Sequence, residues 1–448
     1  MNLSKYFILS SAVLSSSAIA QSDMQPAPPN PQTEAVTRND APGVGFLTRR
    51  YGLSVGDARE QLGLQQEISD LAARLTNDEP ERFGGIFVEH KPPFKIVVLL
   101  TDTDTRKDFK DQLSPQLRRF VQVLPSKRSQ ADVRITIDRL VGTFAAARMG
   151  AAVGFDPKSQ KFRVTVETDT KRPELERLLP NDLKQDVQFR VARLPRDAQA
   201  GYVSGDYTYG GWTLYSATNA PACTTGYVVR LSDARLGVTT AAHCTGTLKI
   251  WTNGHYVTLA ASPVTQGPSG LYDFKVLLTG NLTVSGAVAY VNNQPIRGFT
   301  SLVNSVSGYP NSGYFNIEDG LYRVLPNYGD VMCKSGQRTG LTCGEIVDTY
   351  YSYTTSDTGI SKQGMVALGY SYERVIGFSG DSGGPVFTYP TANGTVRPAG
   401  LVVGANADGT SPCDTTVFDS CELYYMPIDR INDQQPMQIK TSTGTLNP

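Results

Sequence analysis

Two stretches of this 448-residue chain combine residue types and spacing that could carry out a reaction: Thr240-Ala241-Ala242-His243-Cys244 and Gly380-Asp381-Ser382-Gly383-Gly384-Pro385. A serine hydroxyl is a weak nucleophile unless a neighbouring base takes its proton as it attacks. It also needs backbone N–H groups aimed at the oxygen on which negative charge develops, and therefore a tight turn that no side chain obstructs. Glycines on both sides of Ser382 suit such a turn, and the N–H groups of Gly380 and Ser382 are expected to form the oxyanion site. His243 is the candidate base. Taken singly, each stretch has a plainer reading, a Gly-rich turn or a packed histidine beside a cysteine. Taken together they point to nucleophilic acyl transfer. The two remaining histidines read as incidental, His255 in a turn-like Asn253-Gly254-His255 and His90 at the end of a strand.

In this order the two stretches resemble the chymotrypsin family of serine proteases, whose triad runs His, Asp, Ser along the chain. The resemblance implies an aspartate between them. Asp273, in Leu271-Tyr272-Asp273-Phe274-Lys275-Val276-Leu277-Leu278, has the family's Asp–aromatic–x–aliphatic setting, whereas Asp319 and Asp330 lie in Gly/Asn-rich loops. Its implied role is to orient the imidazole and stabilise the imidazolium. The segment Cys333-Lys334-Ser335-Gly336-Gln337-Arg338-Thr339-Gly340-Leu341-Thr342-Cys343-Gly344 is similar to the bacterial branch that includes α-lytic protease and the streptogrisins. So is a cysteine near the start of the protease region, Cys223, which the resemblance pairs with Cys244. The match covers most of residues 207–430. It implies an all-β protease domain of two six-stranded antiparallel β-barrels with the triad in the cleft between them. It also implies protein or peptide substrates, with no metal or organic cofactor.

The sequence departs from that branch in places. Phe378-Ser379 stands where a cysteine usually precedes the nucleophile turn, so Cys413 and Cys421 are expected to close a loop of their own. Lys334 stands where relatives place an arginine against the aspartate before the nucleophile, which suggests a Lys334–Asp381 pair. Counting back six residues from Ser382 reaches Ile376, the expected base of the primary specificity pocket, with Val403-Gly404-Ala405 as its wall. An apolar pocket disfavours an unpaired charge, so uncharged, apolar side chains are expected before the scissile bond.

The elements that position these residues divide the chain. Residues 1–205 hold 54 charged residues and residues 206–448 only 30, which argues for two separately folding units. Lys5, the apolar stretch Tyr6 to Val13 and Ala18-Ile19-Ala20 read as a signal peptide over 1–20. Residues 21–41 are Pro-, Asn- and Gln-rich and read as a flexible leader. In 42–198, Ser54-Val55-Gly56-Asp57 suggests a helix cap, and Leu64, Ile68, Leu71 and Leu75 recur at helical spacing. Strands are expected at Phe94 to Leu100, Val133/Ile135/Ile137, Phe162/Val164/Val166 and Val187/Phe189/Val191, with a short helix at Pro173 to Leu179. This α+β unit resembles the pro regions of the same bacterial branch, at Phe83-Gly84-Gly85-Ile86-Phe87-Val88-Glu89-His90 and Gly154-Phe155-Asp156-Pro157. The resemblance implies a folding aid and inhibitor of the protease; an unrelated binding or targeting domain is the alternative. Residues 199–206 form a polar, Gly-containing processing linker. Residues 207–448 show short strands between Gly, Pro and Asn turns, with a short helix at Pro427 to Asp433.

Composition narrows the function classes. Formal net charge is zero, so no electrostatic argument favours nucleic acid or an anionic membrane surface. No stretch approaches the 18 apolar residues of a membrane anchor. All six cysteines, Cys223, Cys244, Cys333, Cys343, Cys413 and Cys421, follow residue 205, and an even count in an exported chain suggests disulfides rather than a metal site. The reading is a secreted, self-processing serine endopeptidase. Its rival is a catalytically silent homologue acting as a binding protein. An α/β-hydrolase esterase would share the loose Gly-x-Ser-x-Gly pattern but not the upstream histidine or the β-rich composition.

Overall fold

The computed structural model describes residues 42–102, 113–192, 207–252, 254–265, 272–291, 294–295, 303–304, 312–318, 324–354, 361–369, 376–378, 380–388, 395–406, 422–434, 436–441 and 446–447. The expected signal peptide, leader and processing linker lie outside them, as do Asp319, Cys413 and Cys421.

Residues 42–192 form an α+β assembly. Ser54 caps the helix Val55–Gly63, its side chain accepting from the Asp57 N–H at 3.0 Å. Leu64 then starts the helix Gln65–Asp78, whose buried Ile68, Leu71, Ala72 and Leu75 face a sheet of Phe83–Glu89, Lys95–Leu100 and Val121–Pro125. The strand expected at Val133/Ile135/Ile137 is instead part of a helix, Gln130–Ala146. Ser129 and Asp132 close a reciprocal capping box at its start. From there Val133, Ile137, Leu140, Val141 and Phe144 share one buried face, while Ile135 is 67% exposed. Burying each of those side chains is worth about 1.5–3 kcal/mol, so the face with five outweighs an alternation that would bury three. This helix covers a second sheet of Ala151–Asp156, Lys161–Val166 and Val187–Val191. The short helix near 173 spans Arg172–Leu178.

The second half is strand-rich, with two β-assemblies. In the first, the sheet that includes Val228–Arg230, Leu236–Thr240 and Lys275–Leu278 and the sheet of Thr213–Tyr215, Pro221–Thr224, Lys249–Thr252 and His255–Thr258 enclose a core of Trp212, Leu214, Val238, Leu248, Ile250 and Leu277. In the second, Val331–Gly336, Pro385–Thr388, Pro398–Ala405, Leu423–Pro427, Ser361–Gly369 and Gly340–Thr354 pair in that order, and the last pairs back with the first. Every pairing in this six-stranded ring is antiparallel, so the sheet closes as a barrel without free edges. Ile428–Gln434 forms the short helix near the end.

The two halves share a sheet. The long strand Gly340–Thr354 projects beyond the ring, where Ser352, Tyr353 and Thr354 pair with Val153, Ala152 and Ala151. The N-terminal sheet thereby extends the second barrel to nine strands. Charged pairs support this junction: Arg163 reaches Asp348 at 3.2 Å, and Arg190 grips Glu422 through two bonds of 2.7 and 2.9 Å. Tyr51 donates to Glu345, and His90 is held between Gln61 and the Gly329 carbonyl.

Candidate active site

His243 follows the strand Leu236–Thr240, and Asp273 precedes the strand Lys275–Leu278 that pairs with it. Antiparallel pairing of Thr240 with Lys275 brings the two side chains to the same end of the sheet. There Asp273 Oδ2 lies 2.8 Å from His243 Nδ1. The other oxygen, Oδ1, accepts from the backbone N–H groups of Ala242 at 2.7 Å and His243 at 3.1 Å. Burial alone would push this carboxyl up. The charge and hydrogen bonds of His243, with the ammonium of Lys362, instead hold it well below the usual carboxylate range. Asp273 is therefore a fixed anion behind the imidazole. Asp330, weighed for the same role, lies elsewhere: its Oδ2 accepts from both Asn327 nitrogens at about 3 Å, and burial raises its pKa to about 7.

The Ser382 turn leads into the strand Pro385–Thr388 of the second barrel and packs against the first assembly. Gly380 and Gly383 adopt φ of +115° and +85°, conformations that strongly favour glycine. A Cβ on Gly383 would collide with Thr240 Oγ1 and the Thr224 carbonyl. The turn therefore presses directly on the strand end that carries His243. The Thr224 N–H donates to the Ser382 carbonyl at 2.8 Å, and the Cys223–Cys244 disulfide ties that strand to the residue after His243. Ser382 itself is fully shielded from solvent, with Oγ donating to the Val403 carbonyl at 3.2 Å.

Asp381 anchors the turn from below. Its carboxylate accepts from the N–H groups of Phe378, Arg338 and Thr339 at 2.9–3.1 Å and from the Thr339 hydroxyl at 2.5 Å. Lys334 Nζ lies 3.2 Å away, and both side chains have no exposure. Lys334 also donates to Thr339 Oγ1 and, at 2.8 Å, to the Gly340 carbonyl. Cys333 and Cys343 sit opposite each other on the adjoining hairpin and are disulfide-bonded.

The residues expected to form the specificity pocket separate into different environments. Ile376 is buried in the barrel interior with Met332, Ile346, Val366 and Val402. Val403 belongs to another apolar cluster, and its carbonyl faces Ser382. Gly404 and Ala405 continue the same buried strand. Lys362, 3.6 Å from Asp273 Oδ2, is a member of the site that sequence reasoning missed. Nothing local marks it, because a hairpin of the other barrel delivers it.

The order of His243, Asp273 and Ser382 along the chain, the glycine turn and the closed six-stranded barrel beside a second β-assembly give the chain a chymotrypsin-like fold. Its sequence is similar to serine protease 1 of Streptomyces fradiae, 24% identical over 258 residues, which are 57% of this chain and 61% of that protein. Solved structures it resembles include the Nocardiopsis protease NAPase, 16% identical over 54% of this chain and all of that one, with a TM-score of 0.35. Another is Cellulomonas bogoriensis chymotrypsin, 19% identical over 52% of this chain and 98% of that one, with a TM-score of 0.34. No family model matches. The chain is thus similar in sequence to a bacterial serine protease and spans about three fifths of its length.

Proposed function

We propose that this protein is a secreted serine endopeptidase made as a precursor. Residues 1–20 act as signal peptide, 21–41 as leader, 42–198 as pro region, 199–206 as processing linker and 207–448 as the protease. The observation that carries this reading is the Asp273–His243 hydrogen bond with the Ser382 turn seated on the same strand end. With Nδ1–H donated to Asp273, the Nε2 lone pair of His243 takes the Ser382 proton as Oγ bonds to the substrate carbonyl carbon. The N–H groups of Gly380 and Ser382 bind the resulting oxyanion. The proton passes from His243 to the departing amine, leaving an acyl-enzyme on Ser382, and water repeats the steps to release the acid and restore the serine. No metal or organic cofactor enters this chemistry.

The shared sheet and the half-buried Arg163–Asp348 and Arg190–Glu422 pairs support a pro region that binds the protease as a folding aid and inhibitor. Export is consistent with the two disulfides, which persist in oxidising compartments. Among the described residues no helix is long and apolar enough to cross a membrane. The test is hydrolysis of an uncharged peptide substrate by the matured protein and by Ser382→Ala. Cleavage by the first and not the second supports the proposal. Equal rates, or none with either, would refute it, the latter leaving a binding protein.

A further inference from the structure

We infer that Lys362 is a positioning residue of the triad, whose ammonium fixes Asp273 and sets the pH at which His243 takes up a proton. The inference rests on the peptidase reading. Lys362 stands at the start of the strand Ser361–Gly369, paired with Tyr353, and reaches out of the second barrel to a residue of the first. Its Nζ lies 3.6 Å from Asp273 Oδ2, the same oxygen that binds His243 Nδ1 at 2.8 Å. Lys362 is only 7% exposed, and lysine is seldom so buried without an anionic partner. With Oδ1 occupied by the two backbone N–H groups, Oδ2 is shared between imidazole and ammonium.

Three side chains with basic nitrogens therefore surround this carboxylate: His243, Lys362 and Lys275. Lys275, on the strand that follows Asp273, donates to the Cys244 carbonyl; burial lowers its pKa, and attraction to Asp273 partly offsets this. Lys362 is the one that directly shares the oxygen used by His243. In a triad with no such lysine, the carboxylate alone favours the imidazolium. Here an ammonium partly neutralises that carboxylate and repels the imidazolium, so the free base persists to lower pH. The two contacts share one oxygen, which places the ammonium within about 6 Å of Nδ1. One unit charge at that distance, at an effective dielectric of about 20 to 40, moves a titration by about one to two pH units.

The experiment is the pH dependence of kcat/KM for the matured wild type, K362M and K362R on one uncharged peptide anilide, normalised by active-site titration with a fluorophosphonate. The acid limb of K362M is expected about one to two pH units above wild type, with K362R close to wild type. A lysine that merely packed would leave the limb of the correctly folded fraction in place, so an unmoved limb in K362M overturns the inference. K362Q carries the same expectation if K362M does not fold. If neither neutral variant folds, the wild-type limb decides: at or above about 6.5, the ordinary histidine value, it overturns the inference, and well below it supports it. A wild type with no titratable serine fails the peptidase reading first, and this inference with it.

Discussion

Replacing Lys334 by methionine should damage both stability and, on the proposed function, turnover, because it leaves an anion stranded under the Ser382 turn. Lys334 and Asp381 are both without exposure and lie 3.2 Å apart. Methionine matches the aliphatic stem of lysine but supplies neither the charge nor the bonds to Thr339 and Gly340. Breaking a buried ion pair by removing one partner typically costs about 3–5 kcal/mol, most of it the penalty on the remaining charge. Asp381 has four further donors, which places the expected loss toward about 3 kcal/mol. Those donors lie on segments flanking the turn, so a shifted Asp381 moves Gly380 and Ser382 with it. Losing one oxyanion donor entirely costs about 10²–10³ in kcat. A displaced turn should fall below that, at about ten- to a hundredfold. Denaturant unfolding of the Ser382→Ala form, with and without K334M, reads the stability term, and kcat on a peptide anilide reads the turn. Adding Asp381→Asn to K334M should restore part of the stability, because the stranded charge is gone. A K334M protein within about 1 kcal/mol of its parent, with unchanged kcat, would refute the reasoning.

Further outcomes follow from the junction and from the expected specificity. Burial raises Glu345 to about 7 despite its bond from Tyr51, so the folded chain binds an extra proton between pH 4.5 and 7. The share of the Ser382→Ala precursor's stability that Glu345 carries should therefore fall as pH rises through that window, by up to about 3 kcal/mol, with buried Asp330 adding in the same direction, and Glu345→Gln should remove the Glu345 share. His90 acts in the opposite direction over much of the same range: burial lowers it to about 4, so its share of the stability falls as pH drops below about 6.5 and offsets the Glu345 slope there. The Glu345 decline is read cleanly in a His90→Gln background. Ser382→Ala should accumulate as uncut precursor if the chain processes itself; normal mature protein from that variant would show that another protease does the cutting. A peptide-library screen should be dominated by uncharged, apolar residues before the scissile bond, and dominance of Arg, Lys or Glu would remove that assignment. Residues 206–448 refolded alone should stay inactive until residues 42–198 are supplied, and ready refolding without help would leave the N-terminal unit without a folding role.

The residues of the candidate site were the most legible part of the sequence, since His243, Asp273 and the Ser382 turn do come together. A serine nucleophile needs its glycines and an upstream histidine, and those requirements fix residue types at short spacing. Asp273 was readable only through triad order and the strand that follows it, since aspartates in loops are common. Elsewhere, local pattern competed with tertiary context. Val133, Ile135 and Ile137 alternate like a strand, yet Val133 and Ile137 are also one helical turn apart, and the Ser129–Asp132 cap with the later Leu140, Val141 and Phe144 decides for the helix. Arg163 and Arg190 stand at the intervening positions of alternating strands. Their true environment comes from Asp348 and Glu422, more than 180 residues away, which no local pattern reveals. His90 looked incidental for the same reason, because its partner is the Gly329 carbonyl. Lys362 was the hardest to see: its contact with Asp273 depends on the register of a bulged hairpin in one barrel and on a loop of the other.

Mass spectrometry of the matured protein after reaction with a fluorophosphonate tests the central claim most directly. The hydroxyl of an activated serine displaces fluoride to form a stable phosphonyl ester, whereas an ordinary serine does not react at a useful rate. One adduct per chain is predicted, mapping to the peptide that contains Ser382 and disappearing in His243→Ala. An unmodified chain, an adduct on another residue, or labelling that survives loss of His243 would contradict the account.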